Sequence, residues 1–154
     1  MIAKRIEAIA ESPTIKLTAI VKKLKAEGHE IIELNIGEPD LPTPLLIKES
    51  GINAISNNNT KYTINAGTVE LRQEICNKLK TENGLDYNID EVIVSNGAKQ
   101  AIFNAVMCLI NPGDEVIIPA PYYVSYPEIV NITGGTPIIV NGDPNNQLKP
   151  KSCG

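Results

Sequence analysis

Three short apolar segments constrain the fold of this chain more than any other feature. They lie at residues 91–95, 115–119 and 136–140, and each is bounded by glycine, proline or asparagine. Continuous apolar runs of this length are typical of strands buried on both faces. Because helical patterns lie between the runs, the sequence predicts an α/β domain with a largely parallel sheet.

Apolar residues at helical spacing predict the helices that accompany these strands. The predicted helices cover residues 13–28, 44–56, 71–83 and 99–110, and one or two further helical turns extend from the segment 121–127 to Thr133. Thr43 is placed to cap the second helix, with Pro44 at its first position. A further apolar segment, residues 30–36, predicts a strand that stops in the turn opened by Gly37.

Length and charge limit the classes of function. A chain of 154 residues has room for one ordinary domain. Its 14 basic and 18 acidic residues give a net charge of −4, so nucleic-acid binding is disfavoured. The apolar run at residues 105–110 is too short to span a bilayer, and residues 1–20 contain no uninterrupted apolar signal segment. We therefore expect a protein without membrane contact, in the cytoplasm.

The cysteine and histidine content argues against a metal site. The sequence has an odd number of cysteines, namely Cys76, Cys108 and Cys153, and no two of them have C-x-x-C spacing. This pattern favours reduced thiols over disulfides or a zinc ribbon. His29 is the one histidine of the sequence, and it lies in a polar stretch. We expect it to be a solvated loop residue, and we predict no metal site.

The segment 95–99 is a candidate anion site because it follows a predicted strand and opens a helix. Gly97 allows a close turn, the N–H groups of Ala98 and Lys99 begin the helix, and Lys99 adds a positive charge. Ser95 contributes a hydroxyl. The segment matches neither common glycine-rich phosphate motif, so a plain strand-to-helix turn is the alternative.

Tyrosines follow the next predicted strand. Tyr122 and Tyr123 could place a ring above a flat ligand bound at the same helix start. The alternative is that both rings serve packing, which is the commoner role of aromatic side chains.

Taken together, several segments resemble the N-terminal part of class I pyridoxal-phosphate aminotransferases, and most of all the bacterial aspartate aminotransferase subgroup, some members of which also use prephenate. The similarity runs from about Ile6 to Leu148, although the family's chains are more than twice this long. The segments that carry it are residues 35–40 (NIGEPD), 61–63 (KYT), 67–72, 94–100 (VSNGAKQ) and 119–127 (PAPYYVSYP).

This resemblance implies a partial large domain of the fold type I class of pyridoxal-phosphate enzymes. Residues 1–43 would form the N-terminal arm and a segment of the small domain, and residues 44–154 the N-terminal half of the cofactor-binding large domain. The family sheet includes strands that come later in the chain. An unpaired sheet edge, exposed apolar surface and poor solubility are therefore expected.

The resemblance also assigns site residues. Gly97, Ala98 and Lys99 match the turn that holds the phosphate of pyridoxal 5'-phosphate, and Tyr123 stands where the family usually has a tryptophan stacked on the pyridine ring. Tyr62 matches the tyrosine that reaches the phosphate of the neighbouring subunit's cofactor, which implies a homodimer. Gly37 matches a backbone contact to the substrate carboxylate.

Several parts of the family's machinery have no counterpart here. They are the lysine that attaches the cofactor covalently, the aspartate that pairs with the pyridine nitrogen, an N-P-x-G segment and a C-terminal arginine. Lys99 is not that lysine because it lies on the phosphate side. The sequence therefore predicts no catalytic residue in this chain, and covalent attachment of the cofactor to it is impossible.

Two hypotheses follow. In the first, the chain is an N-terminal fragment of a pyridoxal-phosphate-dependent aminotransferase, which moves an amino group between an amino acid, expected to be aspartate, and a 2-oxo acid; the isolated chain is then inactive. In the second, it is a non-enzymatic module that binds a phosphate ligand or a partner. A module should bind its ligand saturably and melt cooperatively, whereas a fragment should do neither.

Overall fold

The computed structural model describes residues 2–7, 9 and 13–149. Within them the helices are α1 (Lys4–Glu7), α2 (Pro13–Ala26), α3 (Leu45–Ser56), α4 (Val69–Asn83), α5 (Gly97–Leu109) and α6 (Ser125–Thr133). The strands are β1 (Glu115–Ala120) and β2 (Thr136–Asn141), and a 3-10 turn covers Ile89–Glu91. None of these helices is both long enough and apolar enough to cross a membrane.

The described residues form two compact units. The sheet unit contains the residues up to Ile36 and those from Asn96 onward, and the helical unit is Gly37–Ser95. The predicted division into domains at residue 43 concerns a complete member of the resembled family, and it stays a prediction.

In the sheet unit, β1 and β2 form the parallel pair that the sequence predicts. Their register places Ile117 opposite Ile138 and Ile118 opposite Ile139, and α6 connects the two strands. Ile118, Ile129 and Val130 are buried between this sheet and α6, where Val130 is only 2% exposed. This is the α/β packing expected from alternating strands and helices.

Glycines make two of these connections possible. Gly134 ends α6 in a left-handed conformation with φ of 87°. A Cβ at Gly135 would lie 2.7 Å from Cγ2 of Ile110, so the position directly before β2 has no room for a side chain.

In the helical unit, α4 begins at Val69, two residues before the predicted start, and ends at Asn83 as predicted. The Thr68 side chain accepts a hydrogen bond from the backbone N–H of Leu71 at 3.3 Å, and Gly84 follows Asn83 with φ of 68°. Cys76 is buried in α4, as its position beside the apolar face predicts. Cys108 is an exposed free thiol, and Cys153 lies outside the described residues.

Two predicted strands are wrong for the described structure. Residues 30–36 and 91–95 have no strand partner among the described residues, so neither belongs to a sheet, and Glu91 ends the 3-10 turn. Val92 is buried and has strand-like dihedrals, but Ile93 is 73% exposed rather than buried on both faces. An extended segment becomes a strand only when another backbone pairs with its N–H and C=O groups, and apolar composition does not supply that backbone.

Two helix starts also differ from prediction. α3 begins at Leu45, and Pro44 rather than Thr43 occupies the cap position, without a side-chain hydrogen bond. α5 begins at Gly97, two residues before the predicted start.

Much apolar surface stays in contact with solvent. The accessible surface of the protein is 12864 Å², whereas a monomer of this mass that packs into an ordinary domain exposes about 7600 Å². Each strand of the two-stranded sheet has one edge without a partner in the described part of the chain. The expectation of an unpaired sheet edge and exposed apolar surface is thus confirmed for these residues.

Candidate functional site

The start of α5 has the geometry of an anion-binding turn. Gly97 has φ of +79°, and a Cβ built on it would meet no atom within 4 Å, so the space beside it is open. The first N–H groups of any α-helix have no acceptor within the helix and carry the positive end of its dipole. The N–H groups of Ala98 and Lys99 therefore lie where an anion is stabilised.

A side chain also supports this turn. The backbone N–H of Asn96 donates to Oε1 of Gln100 at 2.6 Å, which ties the residue before Gly97 to the first turn of α5. This contact leaves the amides of Ala98 and Lys99 uninvolved. No sequence signal specific to Gln100 pointed to this role.

Lys99 and Tyr123 come together in the sheet unit. The ammonium nitrogen of Lys99 lies 5.2 Å from the centroid of the Tyr123 ring, which is a cation–π distance. Tyr123 follows the end of β1 and is 54% exposed, so its ring offers an accessible flat surface. One positive charge and one aromatic face thus meet beside the helix start.

Tyr126 is a neighbour of Tyr123 that sequence analysis did not assign to the site. Their ring centroids are 5.9 Å apart and the ring planes meet at 64°, an edge-to-face arrangement. The spacing of three residues at the start of a predicted helical turn is the signal that could have found this contact.

Tyr62 and Gly37 belong to the helical unit, whereas Gly97, Ala98, Lys99 and Tyr123 belong to the sheet unit. The Tyr62 side chain is fully exposed in the loop that follows α3. Gly37 lies in irregular backbone, and a Cβ there would meet no atom within 4 Å. The assignments of these two residues stay predictions, as do those of the other four.

The sheet unit also has an apolar groove of about 260 Å³. It lies along β1 between α5 and α6, and its lining residues include Ile102, Val106, Ile117 and Tyr126. A groove of this composition offers no charge for a phosphate. Among the described residues no group of three or more His, Cys, Asp or Glu side chains is placed to hold a metal ion.

Comparison with known proteins identifies the family to which this fold belongs. The model of the family described as aminotransferase class I and II matches residues 29–151. The chain is 52% identical over 140 residues to the aspartate/prephenate aminotransferase of Nitrosomonas europaea, which covers 91% of this chain and 35% of that protein. It is 50% identical to a bifunctional aspartate aminotransferase and glutamate/aspartate-prephenate aminotransferase of Petunia hybrida, covering 90% of this chain and 29% of that protein.

Solved structures show the same similarity. The aspartate aminotransferase of Rhizobium meliloti matches with a TM-score of 0.92 and 44% identity, covering 97% of this chain and 37% of that one. The enzyme of Thermus thermophilus, solved with maleate, matches with a TM-score of 0.92 and 38% identity, over 98% of this chain and 40% of that one.

The fold is therefore the fold type I architecture of pyridoxal-phosphate aminotransferases, present in part. The chain belongs to the class I and II aminotransferase family. It spans about a third of the length of the curated relatives described above.

Proposed function

We propose that this chain is the N-terminal, phosphate-holding part of a pyridoxal-phosphate-dependent aminotransferase. The enzyme would transfer an amino group between aspartate and a 2-oxo acid. The observation that carries the proposal is the start of α5, where an open glycine turn, helix amides and Lys99 lie beside the accessible ring of Tyr123. Relatives named aspartate or aspartate/prephenate aminotransferases support the choice of substrate class.

The residues at this turn fit the chemistry of the cofactor. A phosphate needs several N–H donors and a positive charge, and the first turn of α5 offers both without a Cβ at residue 97 to fill the space. A pyridine ring needs a flat aromatic surface, which Tyr123 provides. When bound, pyridoxal phosphate supplies the electron-withdrawing ring that aminotransferase chemistry requires.

Each assigned residue then has a limited task. Gly97, Ala98 and Lys99 hold the phosphate, and Tyr123 supports the ring. Gly37 offers its backbone to the substrate carboxylate. Tyr62 acts on the cofactor of a second subunit, so the complete enzyme is a homodimer in this proposal, and we place it in the cytoplasm.

We predict that the 154-residue chain alone does not catalyse transamination, because no residue in it matches the family's cofactor-attaching lysine. The measurement is conversion of aspartate and 2-oxoglutarate by the purified chain in the presence of pyridoxal phosphate. Turnover above that of free cofactor would contradict the prediction.

A chimera tests the proposed function directly. Residues 1–148 of this chain would be joined to the part of the Nitrosomonas europaea aminotransferase that follows the matched segment, since the two are 52% identical over 140 residues. We expect the chimera to bind pyridoxal phosphate and to transaminate aspartate. A folded dimeric chimera that binds no cofactor would refute the proposal.

Two glycines of the sheet unit provide a matched pair of variants. Gly97 and Gly113 both have positive φ, 79° and 95°, and a Cβ at either would meet no atom within 4 Å. Both alanine variants therefore carry a similar backbone strain. Gly97→Ala, which also fills the phosphate space, should weaken pyridoxal phosphate binding by the chimera about tenfold or more, whereas Gly113→Ala should leave it unchanged. Equal losses would show that strain alone is responsible.

The alternative, a non-enzymatic module, is tested by the isolated chain. Saturable binding of pyridoxal phosphate together with a single cooperative melting transition would favour the module. The absence of both would favour a part of a larger enzyme.

A further inference from the structure

Tyr126 contacts Tyr123 through both backbone and ring. Its backbone N–H donates to the carbonyl oxygen of Tyr123 at 2.9 Å. Its ring meets the Tyr123 ring edge-to-face, with centroids 5.9 Å apart. Edge-to-face pairs are favourable because the positive edge of one ring meets the negative face of the other.

The two tyrosines differ in backbone setting and in exposure. Tyr126 lies in the first turn of α6, is 36% exposed, and lines the apolar groove along β1. Tyr123 lies before α6, outside any helix or strand, and is 54% exposed. A ring carried by a helix therefore contacts one whose own backbone segment is irregular.

The contacts around Tyr123 restrict its rotation. Lys99 lies over the ring and Tyr126 lies against it. These two residues belong to α5 and α6 of the same unit. Of these two ring contacts, the cation–π contact alone would remain without Tyr126, and such a contact is weak at an exposed site.

We propose that Tyr126 is a positioning residue that fixes the orientation of the Tyr123 ring for stacking on a flat heteroaromatic ligand. The inference rests on the proposed function, since it deepens the role assigned there to Tyr123. Tyr126 acts through Tyr123 and needs no contact with the ligand. Its ring, and not its hydroxyl, is responsible for the effect.

Three variants test the proposal by NMR spectroscopy of the cofactor-free chimera, in which the tyrosine and lysine residues are isotope-labelled. Tyr126→Leu removes the ring but keeps an apolar side chain in the groove, and Tyr126→Phe keeps the ring without the hydroxyl. Tyr87→Leu is the control, because Tyr87 is a partly exposed tyrosine of the helical unit. The readouts are the ring-to-ring nuclear Overhauser effect and the upfield shift that the Tyr123 ring imposes on the side-chain protons of Lys99.

We expect the unsubstituted chimera to show the contact between the rings and the shifted Lys99 protons. Tyr126→Phe and Tyr87→Leu should keep the Lys99 shift, whereas Tyr126→Leu should move it toward its value in an unstructured peptide. An unchanged shift in Tyr126→Leu overturns the proposal. If Tyr126→Leu does not fold, the proposal is tested by the ring contact in the unsubstituted chimera and by the spectrum of Tyr126→Phe. Absence of the ring contact from the unsubstituted chimera also overturns the proposal.

Cofactor affinity is measured in the chimera. Tyr126→Leu should weaken pyridoxal phosphate binding about two- to tenfold, and Tyr126→Phe should restore it, because an aromatic pair contributes an effect of this size. Equal affinities of the Leu and Phe variants would contradict the proposal. A chimera without cofactor binding refutes the proposed function instead, while the NMR result on ring orientation stands independently.

Discussion

Helices α3 and α4 belong to the same unit and are of similar length, yet they differ in burial. α3 is the more apolar helix, and none of its residues is buried. α4 is rich in charged and polar residues, and it buries Arg72 and Cys76. The apolar content of a helix therefore does not decide whether it packs, because burial requires a complementary surface in the structure.

The exposed residues of α3 lie on more than one side of the helix. Its exposed large apolar side chains are Leu45, Leu46, Ile47, Ile52 and Ile55. A helix that is apolar over much of its circumference is normally buried in a larger core. The described residues do not supply such a core for α3.

One apolar truncation in each helix should give the greatest difference in stability. Leu79→Ala removes a half-buried side chain of α4 and should lower the free energy of unfolding by about 2 kcal/mol. Ile52→Ala removes a side chain that is 61% exposed and should change it by less than about 0.5 kcal/mol. Amide hydrogen exchange measures both, because it reports the free energy of local opening without requiring one cooperative transition. Equal losses would show that α3 is covered in solution.

The comparison of α3 with α4 extends to a polar group, the buried Arg72 of α4. Its side-chain Nη1 donates to the carbonyl oxygen of Ile89 at 3.1 Å, which ties α4 to the 3-10 turn. Arg72→Leu leaves that carbonyl without its donor and should cost about 1–2 kcal/mol in the same assay. Lys48→Leu in α3 is the control, since Lys48 is exposed, and it should change stability little. A loss of the same size in the control would contradict the assigned role of the Arg72 bond.

The smallest effect concerns the helix caps. Thr68→Ala removes the hydroxyl that caps α4 and should cost about 1 kcal/mol. Thr43→Ala should have almost no effect, because α3 has no side-chain cap despite the threonine before its proline. Thermal melting of the two variants measures the difference. A destabilising Thr43→Ala would instead support the cap that the sequence predicts.

Local signals predicted part of the fold well. The C-terminal end of α4, the parallel pairing of β1 with β2 and the turn after α6 follow from apolar runs and glycines, which act within a few residues. The strands predicted at residues 30–36 and 91–95 were wrong for the described structure because strand formation depends on a distant partner.

The candidate site divides in the same way. Gly97, Ala98 and Lys99 could be proposed from the sequence, because a glycine turn that opens a helix is a local pattern. The approach of Lys99 to Tyr123 depends on packing between segments far apart in sequence. The edge-to-face contact of Tyr126 depends on ring orientation, which the spacing of residues does not determine.

Local backbone preference and an ordered set of motifs were enough to predict the α/β class, the family resemblance, the C-terminal ends of α3, α4 and α6, and the glycine turn at the start of α5. Packing in three dimensions sets which apolar segments pair and which helix is buried, and it brings Lys99 and Tyr126 into contact with Tyr123. These outcomes depend on whether a complementary surface lies within reach in three dimensions. An apolar segment shows that it favours burial, but the position of its partner follows from the fold as a whole.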